Sequence, residues 1–405
     1  MKFFLPLFFS IAIVTLSLSK GFSQSEFKAG TWNCTLQLQK DAALPFILEV
    51  KDSLKEKKPF IVNGEEKIPV QSFKQKGDSI FIVPSVFQTE IRAKLISNSL
   101  SGIFIDHARV GEYIIPFRAE LKTVPEKKNN FIPNWFYGKW EVHFSPQTAD
   151  SSSAIGIFDQ RFDTARGTFL TTTGDYRFLI GRVKIDTVTL SAFDGAHLFL
   201  FIGVLNYNTI DGMFWSGKHW TEPWTATRNE NYKLPDASSL TFLKKGFDKI
   251  SFSFPDKDSS IISMSDERFK NKVTLVQITG TWCPNCMDET RVLIPLYNSL
   301  HSKGLETVAL DFERKDDWNY VRTALTHEQE VFNLPYPIVF GGLTKNSSAS
   351  LPMLNTILGY PTLIIIDKKG IVRKIITGID GPATGDLYEK WRDNFQNTVE
   401  QLLAE

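Results

Sequence analysis

The pentapeptide Trp282-Cys283-Pro284-Asn285-Cys286 restricts what this chain can fold into more than any other stretch. It falls where the apolar, strand-like run 273–278 gives way to a helical pattern. A helix that starts near Cys283 turns its unpaired N–H groups and positive dipole end toward that sulfur. A thiolate there is stabilised over the thiol, which lowers its pKa and makes Cys283 the expected nucleophile. Cys286, one turn further in, is placed to attack the mixed disulfide that forms on Cys283. Half of a zinc site is the competing reading. Zinc takes four ligands, however, and the sequence has no second Cys-x-x-Cys and no histidine pair at ligand spacing. The expectation is reversible dithiol/disulfide chemistry without a metal or a cofactor.

A second motif lies far along the chain. Gly359-Tyr360-Pro361-Thr362 immediately precedes the strand run Leu363-Ile364-Ile365-Ile366. Proline at the head of an interior strand is unusual unless its peptide is cis or its missing N–H is put to use. Residues 240–405 resemble a TlpA/ResA-type thioredoxin domain. The matching pieces are Phe252-Ser253-Phe254-Pro255-Asp256, the Cys-x-x-Cys pentapeptide with Glu289 after it, Gly359-Tyr360-Pro361-Thr362, and the turn Asp367-Lys368-Lys369-Gly370. The resemblance implies that a cis-proline loop packs against the Cys-x-x-Cys and offers backbone groups to an extended substrate. Tyr360, Pro361, Trp282, Pro284 and Asn285 are therefore the expected substrate-binding residues, and Cys283 and Cys286 the redox disulfide. Pro284 and Asn285, between the thiols, are expected to tune the reduction potential.

The second thiol is harder to ionise, so a nearby base helps. Thioredoxin itself carries an aspartate six positions before its first cysteine, where this chain has Gln277, which cannot take a proton. Glu289 follows Cys286 by three residues, on the same helix face one turn on, and matches the glutamate of the TlpA/ResA pattern. It is the expected proton carrier; an exposed helix carboxylate is the alternative. Two departures stand out. Tyr360 replaces a smaller residue, which alters the expected groove, and Arg291 stands where the family pattern often has proline, with Pro295 further along instead.

The chain has 405 residues, enough for two or three domains. Its formal charge of +1 gives no reason to expect nucleic acid or an acidic membrane surface as partner. Met1-Lys2 and the apolar run 3–18 read as a secretory signal, with Gly21 and Ser23 suited to a cut before Gln24. The run is short for a membrane span of about 20 residues, so anchoring by an uncleaved signal is the minor reading. Export to the periplasm or cell envelope is expected, with protein disulfides as substrates and a membrane or envelope electron donor. Of three cysteines, only Cys34 lies outside the motif. Strand alternation places it with Trp32 and Leu36 as a buried free thiol, an intermolecular disulfide being the alternative.

Residues 27–231 are rich in Phe, Ile, Thr, Trp and Tyr in short alternating runs, which predicts an all-β region. Residues 58–70 read as a hairpin with Asn63-Gly64 at its turn. The region reads as duplicated. Gly30-Thr31-Trp32 is echoed by Gly138-Lys139-Trp140, Asp78-Ser79-Ile80-Phe81 by Asp186-Thr187-Val188-Thr189, and Leu100-Ser101-Gly102-Ile103-Phe104 by Ile210-Asp211-Gly212-Met213-Phe214. Residues 122–133 would link the copies. The expected organisation is a signal over 1–23, β-rich copies over 24–124 and 131–234, and an α/β thioredoxin-like domain over 240–405. That domain should end in an amphipathic helix capped by Asp386.

Other candidates carry less. The six histidines His107, His143, His197, His219, His301 and His327 have no ligand spacing. Met287 stands where c-type haem attachment needs histidine. Trp215, Trp220, Trp224 and His219 could form a sugar or peptide surface, with core packing as the plainer use. A peroxidase would need Pro at Val276 and Thr at Gly280. From another class, a binding protein could use the β region for recognition and the thioredoxin domain as a redox-sensitive docking module.

Overall fold

The computed structural model describes residues 26–53, 56–123, 133–236 and 239–405. The expected signal segment, its cut site and most of the expected 122–133 linker lie outside these residues. The first half of the chain is β structure in two nine-stranded antiparallel sheets. The first sheet contains β1 (Gly30–Gln39), β2 (Ala42–Ser53), β3 (Glu56–Asn63), β4 (Glu66–Pro69), β5 (Ser72–Lys76), β6 (Ser79–Val83), β7 (Thr89–Ile96), β8 (Ser99–Asp106) and β9 (Ile114–Leu121), in the order β4-β3-β2-β1-β9-β8-β7-β6-β5.

The second contains β10 (Gly138–Phe144), β11 (Ser152–Arg161), β12 (Thr164–Thr171), β13 (Gly174–Asp175), β14 (Leu179–Lys184), β15 (Thr187–Phe193), β16 (Leu198–Asn206), β17 (Thr209–Ser216) and β18 (Trp220–Arg228). Its order is β11-β10-β18-β17-β16-β15-β14-β12-β13, and the further pairing of β11 with β12 closes eight of these strands into a barrel. A barrel of that size has just enough interior for side chains to fill. Here Trp140, Phe144, Phe169, Phe201, Phe214 and Trp224 fill it. In both sheets the first strand pairs with the last.

The same device opens each sheet. Trp32 and Trp140 are fully buried, and each donates its indole N–H to the carbonyl four residues earlier, of Lys28 at 3.0 Å and of Phe136 at 3.2 Å. Trp140→Ala should lower stability by about 3–5 kcal/mol, read as a shift of the denaturant midpoint, because the barrel wall cannot collapse into the space left. The two sheets share apolar interior: Phe193, Leu198 and Leu200 of the second belong to the core of the first. Polar bonds seam them. The Asn63 amide donates to the Phe193 carbonyl at 2.9 Å, and Ser191 Oγ donates to the Pro45 carbonyl at 2.7 Å.

Two local expectations for the β region need correcting. The β3–β4 turn is Gly64-Glu65, and Asn63 ends β3 paired with Glu66, because its side chain is buried against Phe193. Trp215, Trp220 and Trp224 do not form one cluster. Trp224 fills the barrel, Trp215 packs against the first core, and Trp220 is exposed.

After a small hairpin of β19 (Ser253–Pro255) and β20 (Ile261–Ser263), the C-terminal domain forms a five-stranded mixed sheet. It contains β21 (Val273–Thr279), β22 (Leu305–Glu313), β23 (Ile338–Leu343), β24 (Thr362–Ile366) and β25 (Val372–Thr377), in the order β23-β22-β21-β24-β25. β21, β22 and β23 run parallel, and β24 and β25 antiparallel to their neighbours. The helices are α1 (Pro284–Leu300), α2 (Trp318–Phe332), the short α3 (Ser347–Ser350) and α4 (Asp386–Ala404). Apolar clusters on the two faces of the sheet account for the unbroken burial of β21, β22 and β24. Asp386 is the first residue of α4 rather than its cap. Gly385 holds the capping position, with φ at 62°, and no side chain caps the helix. No helix among the described residues is long and apolar enough to cross a membrane.

Candidate redox site

The central strand β21 ends at a loop that is fixed from below. Thr281 N–H donates to Asp311 Oδ1 at 3.0 Å, and Thr281 Oγ1 donates to Glu313. The chain then turns, with Cys283 N–H donating to the Gly280 carbonyl at 2.9 Å, and Cys283 becomes the N-cap of α1. Its sulfur accepts from Cys286 N–H at 3.2 Å. Pro284 takes the first helical position, where its missing N–H leaves nothing unpaired. Cys283 and Cys286 are joined as a disulfide, with Cα atoms 5.3 Å apart. Cys283 is 4 % exposed and Cys286 fully buried.

Glu289 is fully buried one turn beyond Cys286. Neither carboxyl oxygen meets a donor in good hydrogen-bond geometry. Burial pushes its pKa up to about 8, and the nearby Gln277 amide pulls the other way. Gln277 itself spans the strand and the helix, donating to the Cys286 carbonyl at 3.3 Å and to Thr290 Oγ1 at 3.2 Å.

Sequence reasoning missed a second set of acids. Asp311, Glu313 and Glu328 are buried, and Tyr320 donates its hydroxyl to Glu313 at 3.1 Å. Burial is the main cause that raises all three, reinforced for Asp311 by Glu313 and Glu328, and for Glu328, which reaches about 8, by Glu313. The available signal was Asp311 and Glu313 alternating with apolar residues at the end of the wholly buried strand β22. A carboxyl raised in the folded state holds its proton where the unfolded chain has lost it, so stability falls as pH rises. For Glu328 that window runs from 4.5 to about 8. Glu328→Gln should flatten that slope, with its unfolding free energy exceeding wild type by on the order of a few kcal/mol above the window. Denaturant titrations across pH would test this, and parallel curves would refute it.

The other expected residues gather around the disulfide. Trp282 donates its indole N–H to the Phe312 carbonyl at 2.9 Å, lies 5.3 Å from the Tyr360 ring and carries the Arg314 guanidinium 3.9 Å above its face. The Tyr360–Pro361 peptide is cis, and the Pro361 carbonyl accepts from Gly378 N–H at 2.8 Å. Asn285 donates to the Asp175 carbonyl of the β barrel at 3.1 Å. A cleft of about 860 Å³ lies alongside, between the barrel and α4, lined by Thr172, Tyr232, Gly378 and Trp391 among others, and neither redox cysteine borders it.

Residues away from this centre are accounted for locally. Cys34 is unpaired and 2 % exposed, and burial pushes its thiol pKa far up. His219 Nε2 accepts from the Arg109 guanidinium and its Nδ1 pairs with the Tyr113 hydroxyl, and burial with the Arg109 charge lowers it to about 4. No group of three His, Cys, Asp or Glu side chains among the described residues could hold a metal ion.

A mixed sheet, a helix springing from a Cys-x-x-Cys disulfide and a proline loop at the head of the neighbouring strand define a thiol-disulfide oxidoreductase of thioredoxin fold. Residues 230–389 match the Redoxin family model. The chain is 28 % identical over 142 residues to the thiol-disulfide oxidoreductase ResA of Bacillus thuringiensis subsp. konkukian, covering 35 % of this chain and 72 % of that protein. It is 27 % identical over 154 residues to the thiol:disulfide interchange protein DsbE of Pseudomonas aeruginosa, covering 38 % and 74 %. Among solved structures, a thiol:disulfide interchange protein of the thioredoxin family from Chlorobium tepidum matches 40 % of this chain and 98 % of its own, at 20 % identity and a TM-score of 0.31. The C-terminal domain is of the TlpA/ResA type, and the chain is a thiol-disulfide oxidoreductase.

Proposed function

We propose that the chain is exported and reduces disulfides of protein substrates in the cell envelope, drawing electrons from an envelope dithiol donor. One observation carries the reading: the Cys283–Cys286 pair closes at the mouth of α1 with a proton-holding carboxyl, Glu289, buried one turn away. In the reduced enzyme the Cys283 thiolate attacks one sulfur of a substrate disulfide. A bond forms between Cys283 and that sulfur, and the other substrate sulfur leaves as a thiolate that takes a proton from water. Cys286 then gives its proton to Glu289 and attacks Cys283 Sγ. The enzyme disulfide forms, and the second substrate sulfur leaves as a thiolate that takes a proton from water. Two electrons have passed to the substrate. The donor dithiol reverses the cycle, and protonated Glu289 returns its proton to the Cys286 thiolate.

Trp282, Tyr360 and Pro361 line the approach to the sulfurs, and Pro284 and Asn285 set the potential by their effect on the thiolate. The β region belongs to the same catalytic unit, and its two sheets are copies of one repeated element. That duplication is supported by the shared strand order, in which first and last strands pair, and by the matched Trp32 and Trp140. The test is turnover by the full chain. With dithiothreitol as donor, reduction of hydroxyethyl disulfide and of insulin should accelerate in proportion to enzyme, and rates equal to dithiothreitol alone with both substrates would reject the reading.

A further inference from the structure

The redox face is not open to solvent, because the β region lies across it. The strip Thr173-Gly174-Asp175 passes between the Cys-x-x-Cys loop and the proline loop. Gly174, at φ 136°, sits against the Asn285 amide so closely that a Cβ there would overlap it. Thr173 packs on Gly359, where an added Cβ would come within 2.8 Å, and its backbone abuts Gly378, which has no room for a side chain. Asn285, between the two cysteines, donates to the carbonyl of Asp175. On the other flank, Met287 packs with Val86 and Phe87 of the loop between β6 and β7, and Lys315 donates to the His107 carbonyl. Only about 40 Å³ remains beside Trp282 on that side.

One side chain ties these pieces together. Arg177 is 4 % exposed and held in the left-handed region, at φ 64°. Its guanidinium reaches Glu66 of the first sheet at 2.8 Å, Asp194 of the second at 3.4 Å, and Asp288 on α1. Backbone in that region costs a non-glycine residue energy, and such strain persists only where the surroundings fix it. A buried cation that meets carboxylates from three separate elements is such a setting. Asp175 beside it is buried, with neither carboxyl oxygen hydrogen-bonded, and burial lifts its pKa to about 6.

We propose that the β region is a built-in lid that decides what reaches Cys283. The strip Thr173-Gly174-Asp175 fills the groove that the main chain of a protein disulfide would occupy, and Arg177 is its latch. The inference rests on the oxidoreductase reading and adds the control of its site. A polypeptide gains Cys283 only when the strip lifts and Arg177 leaves Asp288, whereas a small disulfide needs far less displacement. The site therefore discriminates by size, and a partner that binds the β region can relieve the block.

The full-length reduced protein tests this with paired reagents. Cys283 alkylation by iodoacetamide is compared with alkylation by a maleimide bearing a long polyethylene glycol chain, and hydroxyethyl disulfide reduction with insulin reduction. In Arg177→Ala and in Asp288→Asn, the large-to-small rate ratio should rise about tenfold or more, since losing a buried charge partner shifts a two-state equilibrium strongly. An unchanged ratio in folded variants overturns the lid. A second measurement needs neither variant: in Cys286→Ala protein trapped as a mixed disulfide with a peptide thiol, amides of residues 172–177 should exchange with deuterium faster than in the untrapped protein. Equal exchange also overturns it. Failure of wild type to reduce even hydroxyethyl disulfide would instead reject the oxidoreductase reading.

Discussion

Cys283→Ser protein is expected to reduce insulin no faster than dithiothreitol alone, a loss of several orders of magnitude. Serine keeps the N-cap, because its oxygen can accept the Cys286 N–H that the sulfur now accepts, so the fold of α1 should survive. What disappears is the only group able to make the first covalent bond. Cys286→Ala stops the same reaction one step later. The mixed disulfide forms on Cys283 and has no partner to resolve it, so substrate stays attached and can be identified by mass spectrometry. The pair of variants separates attack from release. If Cys283→Ser retained wild-type turnover, or if Cys286→Ala accumulated no adduct, the order of events above would be wrong.

The second large effect concerns Glu289. Its pKa of about 8 means that it is mostly protonated at neutral pH and loses its proton as pH rises through that value. As acceptor for the Cys286 proton it works only when ionised, so the rate of substrate release should climb with pH toward about 8 and then level. Glu289→Gln removes this ionisation. The variant should lose about 10²-fold in the resolving step, at the lower end of what a positioned acid–base group contributes, and the rise near pH 8 should vanish. Stopped-flow measurement of single-turnover substrate release across pH reads both quantities. An unaltered profile would assign the proton elsewhere, the buried Asp311–Glu313 pair under Thr281 being one candidate. Stability carries the same signature. The folded state binds the Glu289 proton that the unfolded chain gives up above 4.5, so this group's contribution is fully present in acid and is lost as pH rises toward about 8.

The redox centre was legible in the sequence because its parts are local. Cys283, Pro284, Cys286 and Glu289 lie within two turns of one helix, and an apolar run before them identifies β21. The β-rich character of the first half was legible for a similar reason, since strand alternation is a property of neighbouring residues. What could not be read was everything that depends on the meeting of distant segments. Nothing about Arg177 in its own stretch distinguishes it from any surface arginine, and its importance comes from Glu66, Asp194 and Asp288 arriving from three other elements. Asp311 and Glu313 stood in plain view at the end of β22, yet their burial beneath Thr281 follows from the sheet order. The Asp386 cap failed because Gly385, at φ 62°, takes the capping position and begins the helix one residue earlier. The three tryptophans near His219 alternate along a hairpin whose faces look into different cores, so proximity in sequence did not mean proximity in space.

The apolar seam between the two sheets also governs how the molecule can be assembled. Phe193, Leu198 and Leu200 complete the interior of the first sheet, although they arrive well after its last strand, which ends at Leu121. During synthesis the amino-terminal portion emerges first and folds first where it can. Here it must wait, with part of its greasy surface bare, until residue 200 has followed. A chaperone that holds nascent chains open would meet its strongest demand in that interval, and truncation anywhere before residue 200 should leave an aggregation-prone fragment.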